Sequence, residues 1–359
     1  MLKHSGNLQQ ASDGMRKVAA IAWSQNGKKI GIANSDKVVL LLDEFGNKKD
    51  KVNVKSIEKQ SKNFVIRDIA FSADGTLLAI AHSDKMIYVV KIGAEWGEDK
   101  KIVNKLNASS SITCMTWPHG RPHEIYYGLA DGKIKVGYLK NQKPGTVYAT
   151  DSYVVNICSS YDSQFIMTGH YDGSVFTYNL QSQAFKKIIS YQTIPQSIGA
   201  GKNIVVAGND GKVNFYDLKG NFLNRIDYSK DDDCRDFHGA AVNPNGETVV
   251  LGNYNRFYVF NLNSKRNEWE EQSIIKINNY YNVTAMCWKS DGARFLTGNL
   301  CGSVDSFDIS MRKYRYKDKF EINYISPSQI HILSLENEQK SMISSVRGYE
   351  ISKVSILKD

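Results

Sequence analysis

Along this chain a short apolar run recurs between two turns, and the gap between the turns is nearly constant. The first turn ends at Gly27, Gly75, Ser163, Gly201, Gly246 and Gly292, and nine residues later stand Asp36, Asp84, Asp172, Asp210, Asn255 and Cys301. A seventh copy, between Gly120 and Asp131, has a gap of eleven. The runs between the turns read IGIA, LLAIA, FIMTG, NIVVAG and TVVLG, each the length of one strand between two hairpin turns. Ahead of the first turn lies a second register: apolar, two residues, apolar, one residue, then usually an aromatic. Val18, Ile21 and Trp23 follow it, as do Ile66, Ile69 and Phe71, then Ile112, Met115 and Trp117, then Val283, Met286 and Trp288. After the second turn comes a third strand, such as KVVLLLD, KMIYVVKI, GSVFTYNL or GKVNFYDL.

These strands are densely apolar where a half-solvated strand would alternate, so both faces of each unit must be covered. The second-turn positions recur every 38 to 48 residues, close to the period of about 40–45 residues for a WD40 propeller blade. Several third strands end on an aromatic–acid or amide–aliphatic triplet, as in Tyr216-Asp217-Leu218 and Phe307-Asp308-Ile309, a softened Trp-Asp dipeptide. The pattern predicts an all-β, seven-bladed WD40-type β-propeller over residues 1–315. Fourth strands are least regular; 101–106, 146–150, 185–190 and 222–228 are the clear cases. Either 2–9 or 312–319 closes the last blade, and 2–9 is favoured because it otherwise has no partner. Residues 316–359 are expected to be a linker and the first strands of a second, truncated propeller: an edge hairpin at 320–335, then a first strand at 348–357. That arrangement suggests a fragment of a longer protein.

The composition, 42% hydrophobic with a formal charge of +9, suits a folded, mildly basic protein. No stretch approaches the roughly 20 apolar residues of a membrane helix, and the N-terminus lacks the apolar centre of a signal peptide. A soluble, cytosolic protein is expected. The five cysteines are odd in number, scattered and without a CxxC pair, which fits reduced thiols. GxSxG, HExxH, P-loop and GxGxxG motifs are absent, so the sequence offers no catalytic, cofactor or metal set. His119 and His123 bracket a Pro-containing turn and read as turn residues. No copy opens with the Gly-His dipeptide that begins the standard WD40 repeat, so its buried Asp–His–Ser–Trp tetrad is absent and aromatics must carry the packing between blades.

Binding is then the functional question. Two loops after third strands, 93–101 and 263–272, place Trp96 and Trp269 among charges. Each tryptophan is either a partner anchor or folds back over its own blade. With Tyr254 and Arg256 they make the candidate partner-binding set. Basic residues cluster at Lys48, Lys49, Lys51, Lys55, Lys59 and Lys62, in what reads as a flexible loop, and at Arg312, Lys313, Arg315, Lys317 and Lys319. Such patches attract the phosphates of anionic membrane or nucleic acid, but no interleaved aromatics offer the stacking platform single strands need.

Several segments carry a more specific resemblance: IAWSQNGKKIGIANSDKVVLLLDEFGNKKDK (21–51), IYVVKIGAEWGEDKKIVNK (87–105), VVLGNYNRFYVFN (249–261), TAMCWKSDG (284–292) and YKDKFEINYISPSQI (316–330). They run end to end in order, and the chain resembles the N-terminal region of the intraflagellar transport 172 family of ciliary complex B subunits. The resemblance implies a non-catalytic scaffold that docks to other complex B subunits, above all the one with a calponin-homology domain, for cilium assembly and maintenance. It also implies a location in the cilium or flagellum, the basal body and the cytoplasm. A basic module on anionic membrane is the alternative.

Overall fold

In a computed structural model, the described residues are 2–11, 17–35, 37–53, 64–264, 266–278, 280–310, 312–326, 328–346 and 351–356. Among them every regular element is a strand, and the strands form eight four-stranded antiparallel sheets. Sheet 1 shows the plan: Val18–Trp23, Lys29–Asn34, Val38–Asp43 and Lys48–Asn53 lie side by side in chain order. Sheets 2 to 6 repeat it over 66–107, 112–149, 154–190, 197–227 and 239–276. In sheet 7, Val283–Trp288, Arg294–Asn299 and Val304–Ile309 are completed by the N-terminal strand Leu2–Gln9. Of the two candidate closing segments, the N-terminal one pairs, with Leu2 opposite Ile309 and Gln9 opposite Val304. Side chains reinforce the seam: Ser5 Oγ donates to the Ser306 carbonyl at 2.9 Å, and Gln9 Nε2 to the Gly302 carbonyl at 2.8 Å.

The same local chemistry builds the first turns of sheets 1, 2, 4 and 6. A side-chain oxygen at the start of each accepts from the backbone N–H five residues on. Lys29 N donates to Ser24 Oγ at 2.8 Å, Leu77 N to Ser72 at 2.9 Å, Phe165 N to Ser160 at 3.0 Å and Thr248 N to Asn243 Oδ1 at 2.9 Å. These are the short polar residues that cap turns. The turn also needs one left-handed residue: Gly246 has φ +74°, and Ser163 takes φ +55° in the matching place.

Packing runs between sheets. The first strands of sheets 1 to 7 touch in succession, and that of sheet 7 touches that of sheet 1. Each contact carries its own apolar cluster: Leu41 with Ile69 and Phe71, Val89 with Trp117 and Tyr127, Phe215 with Phe260, Phe257 with Phe295, and Leu296 with Val18 and Trp23. Second strands are buried throughout, as in Lys29–Asn34, while the fourth strand Lys48–Asn53 is largely exposed. Neighbouring sheets meet over a glycine. A Cβ on Gly298 would lie 2.5 Å from Val18, one on Gly252 2.7 Å from Val283, and one on Gly128 2.5 Å from Val154. A β-branched residue opening one sheet thus sits in the notch left by the preceding sheet.

The polar core differs from the standard repeat. Between sheets 3 and 4, Tyr148 Oη contacts Thr168 Oγ1 and lies 3.2 Å from His170 Nε2, whose Nδ1 lies 3.1 Å from Thr150 Oγ1. In sheet 2 the matching His82 is fully buried, stacked 4.4 Å from Phe64. Its Nδ1 lies 3.5 Å from Asp84, yet burial, with help from the Lys37 cation, pulls its pKa down to about 4.

Sheet 8 comprises Arg312–Tyr316, Phe320–Ser326, Gln329–Ser334 and Lys340–Ser344. The expected hairpin at 320–335 is its centre, but strands flank it on both sides, and its first strand begins ahead of the expected boundary at 316. Ile351, Val354 and Ile356 pack on its apolar face and lie outside any strand, and the rest of the expected strand at 348–357 falls outside the described residues. This sheet rests on the first-turn side of sheets 6 and 7. Ile325 is 3% exposed within the cluster they share. Glu247, fully buried, takes Lys202 Nζ at 2.6 Å and Ser328 Oγ at 2.7 Å.

Gly298→Ala is expected to cost about 1–3 kcal/mol through overpacking against Val18, while Gly6→Ala, with nothing within 4 Å of its Cβ, leaves the denaturant midpoint unchanged; equal midpoints for the two would refute the notch. The unfolded His82 imidazole takes up its proton near pH 6.5 and the folded one only near 4, so protonation favours the unfolded state. Its contribution is intact above about pH 6.5 and shrinks as pH falls toward 4, by up to ~3 kcal/mol. His82→Asn places here the residue found at Asn34 and Asn299, and it should lose less stability than the parent between pH 7 and 4.5 in thermal melts.

Candidate interaction surfaces

The candidate partner-binding residues separate once their surroundings are known. Trp269 lies in the outer strand Glu268–Lys276 of sheet 6, outside any loop, and is 2% exposed. Its ring stacks parallel to Phe215 at 5.3 Å, and its Nε1 donates to Asn203 Oδ1 at 3.1 Å. A strand sends alternate residues inward, and a buried indole needs an acceptor for its N–H; both conditions are met by sheet 5. Trp269 is therefore a core residue, and its reading as an exposed anchor is corrected.

Arg256 is also buried, at 6% exposure, with Nη2 2.7 Å from Asp233 and Nη1 3.6 Å from Asp231. It pins the crossing between sheets 5 and 6 from below, so it too is corrected as a direct anchor. Trp96 is half-buried against the cluster between sheets 1 and 2. The Lys29 ammonium lies 5.2 Å from its ring centroid and donates to the Gly93 carbonyl at 2.6 Å. The loop thus folds inward over the seam between sheets 1 and 2, with Lys29 of sheet 1 as its partner. Tyr254 alone of the four is exposed, at 38%, edge-on to Tyr281 with ring centroids 5.9 Å apart.

The basic residues fall on two different sheets. Lys48, Lys49 and Lys51 belong to the outer strand of sheet 1, where a flexible loop was expected. Lys49 lies 3.4 Å from Asp43, and the neighbouring Asp50 pairs with Lys100. Arg312, Lys313 and Arg315 belong to the first strand of sheet 8; Lys313 pairs with Glu321 at 2.7 Å, and Arg315 is exposed. Asp36, Lys55, Lys59 and Lys62 lie outside the described residues.

Two cavities accompany these surfaces. One, of about 270 Å³, opens at the central channel on the first-turn side, lined by Trp23, His119, Cys158, Tyr161, Asn243 and Trp288. Burial pushes the Cys158 thiol up to about 12 and pulls His119 down, so the thiol is not poised as a nucleophile. Deeper in the channel wall, burial raises the Asp68 carboxyl to about 7, and its Oδ2 accepts from Met115 N at 3.0 Å, tying sheet 2 to sheet 3. Sequence reasoning missed Asp68, because only the closed ring sets the first strand of sheet 3 beside that position. Among the described residues no group of three His, Cys, Asp or Glu could hold a metal. The second cavity, of about 220 Å³, lies between the outer edges of sheets 1 and 2, with Lys51 and Lys100 beside Val52, Tyr88, Val90 and Ile102.

Comparison with known proteins agrees with this architecture. The Anaphase-promoting complex subunit 4 WD40 domain family matches residues 47–119, and the WD domain, G-beta repeat family matches 142–179. The fold is a WD40 β-propeller. Intraflagellar transport protein 172 of Chlamydomonas reinhardtii is 39% identical over 368 residues, covering 100% of this chain and 21% of that protein. The Homo sapiens homologue is 39% identical over 363 residues, with 99% and 21% covered, and Intraflagellar transport protein osm-1 of Caenorhabditis elegans 33% over 359, with 99% and 20% covered. The chain is similar to intraflagellar transport protein 172 along its whole length. It spans about a fifth of the length of these curated relatives.

Trp269→Ala should destabilise the propeller by about 3–5 kcal/mol, whereas Tyr254→Ala should stay within ~0.5 kcal/mol of the parent. Urea unfolding of both variants checks this, and a Trp269 variant as stable as the parent would return the residue to the surface.

Proposed function

We propose that this chain is a non-enzymatic interaction module of intraflagellar transport, docking to other complex B subunits during cilium assembly and maintenance. The observation that carries the reading is the 39% identity to intraflagellar transport protein 172 over the full chain. The fold supports it: a ring stapled by seven apolar seams presents its loops rigidly, and rigidity lowers the entropic cost of binding. The subunit with a calponin-homology domain is the first partner in this reading, and the cilium or flagellum, with the basal body and cytoplasm, is the expected location. The reading needs no cofactor. The propeller boundary expected at residue 315 is proposed instead to fall just before Arg312, because Arg312–Tyr316 is the first strand of sheet 8, with that sheet and the residues after it opening a second array.

One observation favours a second reading, a peripheral module on anionic membrane. Lys51 and Lys100 flank an apolar groove between the edges of sheets 1 and 2, a pairing that suits a lipid headgroup and its chain.

Calorimetric titration of the chain with the calponin-homology domain at low and moderate salt tests the first reading, where saturable one-to-one binding that persists at the higher salt is expected. Absence of heat at both salts, together with salt-sensitive sedimentation on phosphatidylserine vesicles, would replace it with the second.

A further inference from the structure

Four tyrosines are exposed on one face of the ring, the face made by the second turns and the crossings between sheets. They are Tyr153 at 43%, Tyr171 at 63%, Tyr254 at 38% and Tyr281 at 44%. They come in two pairs. Tyr171 N donates to the Tyr153 carbonyl at 2.9 Å, which holds the tip of sheet 4 against the crossing that precedes it. Tyr254 and Tyr281 meet edge to face, joining sheet 6 to the crossing into sheet 7. Between the pairs lie the tip of sheet 5 and the crossing at 228–238.

The charge of this sector opposes that of the chain. Its loops carry Asp151, Asp172, Asp210, the aspartates at 231–233 and Asp236, seven in all, against Lys230 and Arg235 in the loops and Arg256 and Lys276 at the adjoining strand ends, in a protein of formal charge +9. Several of these carboxylates are held in place. Tyr191 Oη donates to Asp210 at 2.8 Å, and Arg256 anchors Asp231 and Asp233 from beneath. The Arg235 N–H donates to Asn253 Oδ1 at 3.0 Å, which fixes the rest of the crossing. Asp151, Asp172, Asp232 and Asp236 remain exposed.

Resting on the docking reading above, we infer that this tyrosine-bearing acidic sector is the surface that receives a basic, arginine-bearing segment of a protein partner. An exposed tyrosine ring offers its face to a planar guanidinium, and a carboxylate beside it accepts the fork of N–H donors. Tyrosine also supplies contact area at small entropic cost, which is why it is frequent at binding hot spots. The same charge repels phosphate, so a membrane or nucleic acid does not fit here. Arg256 acts beneath the surface, as the strut that presents the aspartates. The choice of arginine over lysine follows from the exposed tyrosine rings, since the ammonium is a compact, strongly hydrated charge that stacks less well.

The test is fluorescence anisotropy of the whole chain with labelled arginine–glycine, lysine–glycine and glutamate–glycine repeat peptides of equal length. The arginine peptide should bind more tightly than the lysine peptide, and the glutamate peptide should not bind. Tyr171→Ser with Tyr281→Ser, both exposed and thus safe for folding, should weaken arginine-peptide binding about fivefold or more. Asp232→Asn with Asp236→Asn should weaken it comparably, and Phe45→Ser on the opposite face, where Phe45 is 74% exposed, should leave it unchanged. Equal binding of the arginine and lysine peptides, unaltered binding by both pairs of variants, or an equal loss from Phe45→Ser would overturn the proposal. If the calponin-homology domain binds in the calorimeter and the arginine peptide does not, this surface is wrong while the docking reading stands.

Discussion

A four-stranded blade with two apolar faces cannot be stable alone, because each face must be covered by another blade. Everything else in this molecule follows from that requirement. The apolar clusters lie between sheets, so no sheet owns a core, and the ring has to close to protect the last pair of faces. Leu2–Gln9 closes it by pairing with Val304–Ile309, which joins the beginning of the chain to the end of the ring. The glycines at 128, 252 and 298 are the geometric side of the same constraint, letting each sheet approach a valine of the next.

Burial decreases outward from the second strands, and that gradient decides which residues are available for binding. Loops at the sheet ends carry many of the exposed positions, although some of their residues, Trp96 and Phe237 among them, pack inward, whereas a residue in a fourth strand is inward or outward by parity. Trp269 illustrates the difference, since its charged neighbours face water while the indole fills the seam beside Phe215. Arg256 illustrates a second case, in which a buried cation organises an acidic loop without itself being presented.

Sheet 8 is attached by a different logic. Its hairpin turn places Ser328 on the buried Glu247 and Ile325 in the seam between sheets 6 and 7. A buried carboxylate with Lys202 on one oxygen and a hydroxyl on the other is costly to expose, so the sheet is held on one side of the ring. The opposite face, with its exposed tyrosines and aspartates, is left open.

The sequence by itself determined the repeat. Turn residues at constant spacing and the dense apolar strands are local signals, readable because turns and strands depend on near neighbours. It also carried the resemblance to intraflagellar transport proteins, which comparison over the whole chain supports. Only the tertiary structure decided which tryptophans are buried, that Lys48, Lys49 and Lys51 form a strand, that 312–344 make a complete sheet, and that Tyr153, Tyr171, Tyr254 and Tyr281 share one face. Those facts depend on contacts between residues far apart in the chain. Burial in a ring is set by the neighbouring blade, and a blade's own residues do not record how closely that neighbour approaches.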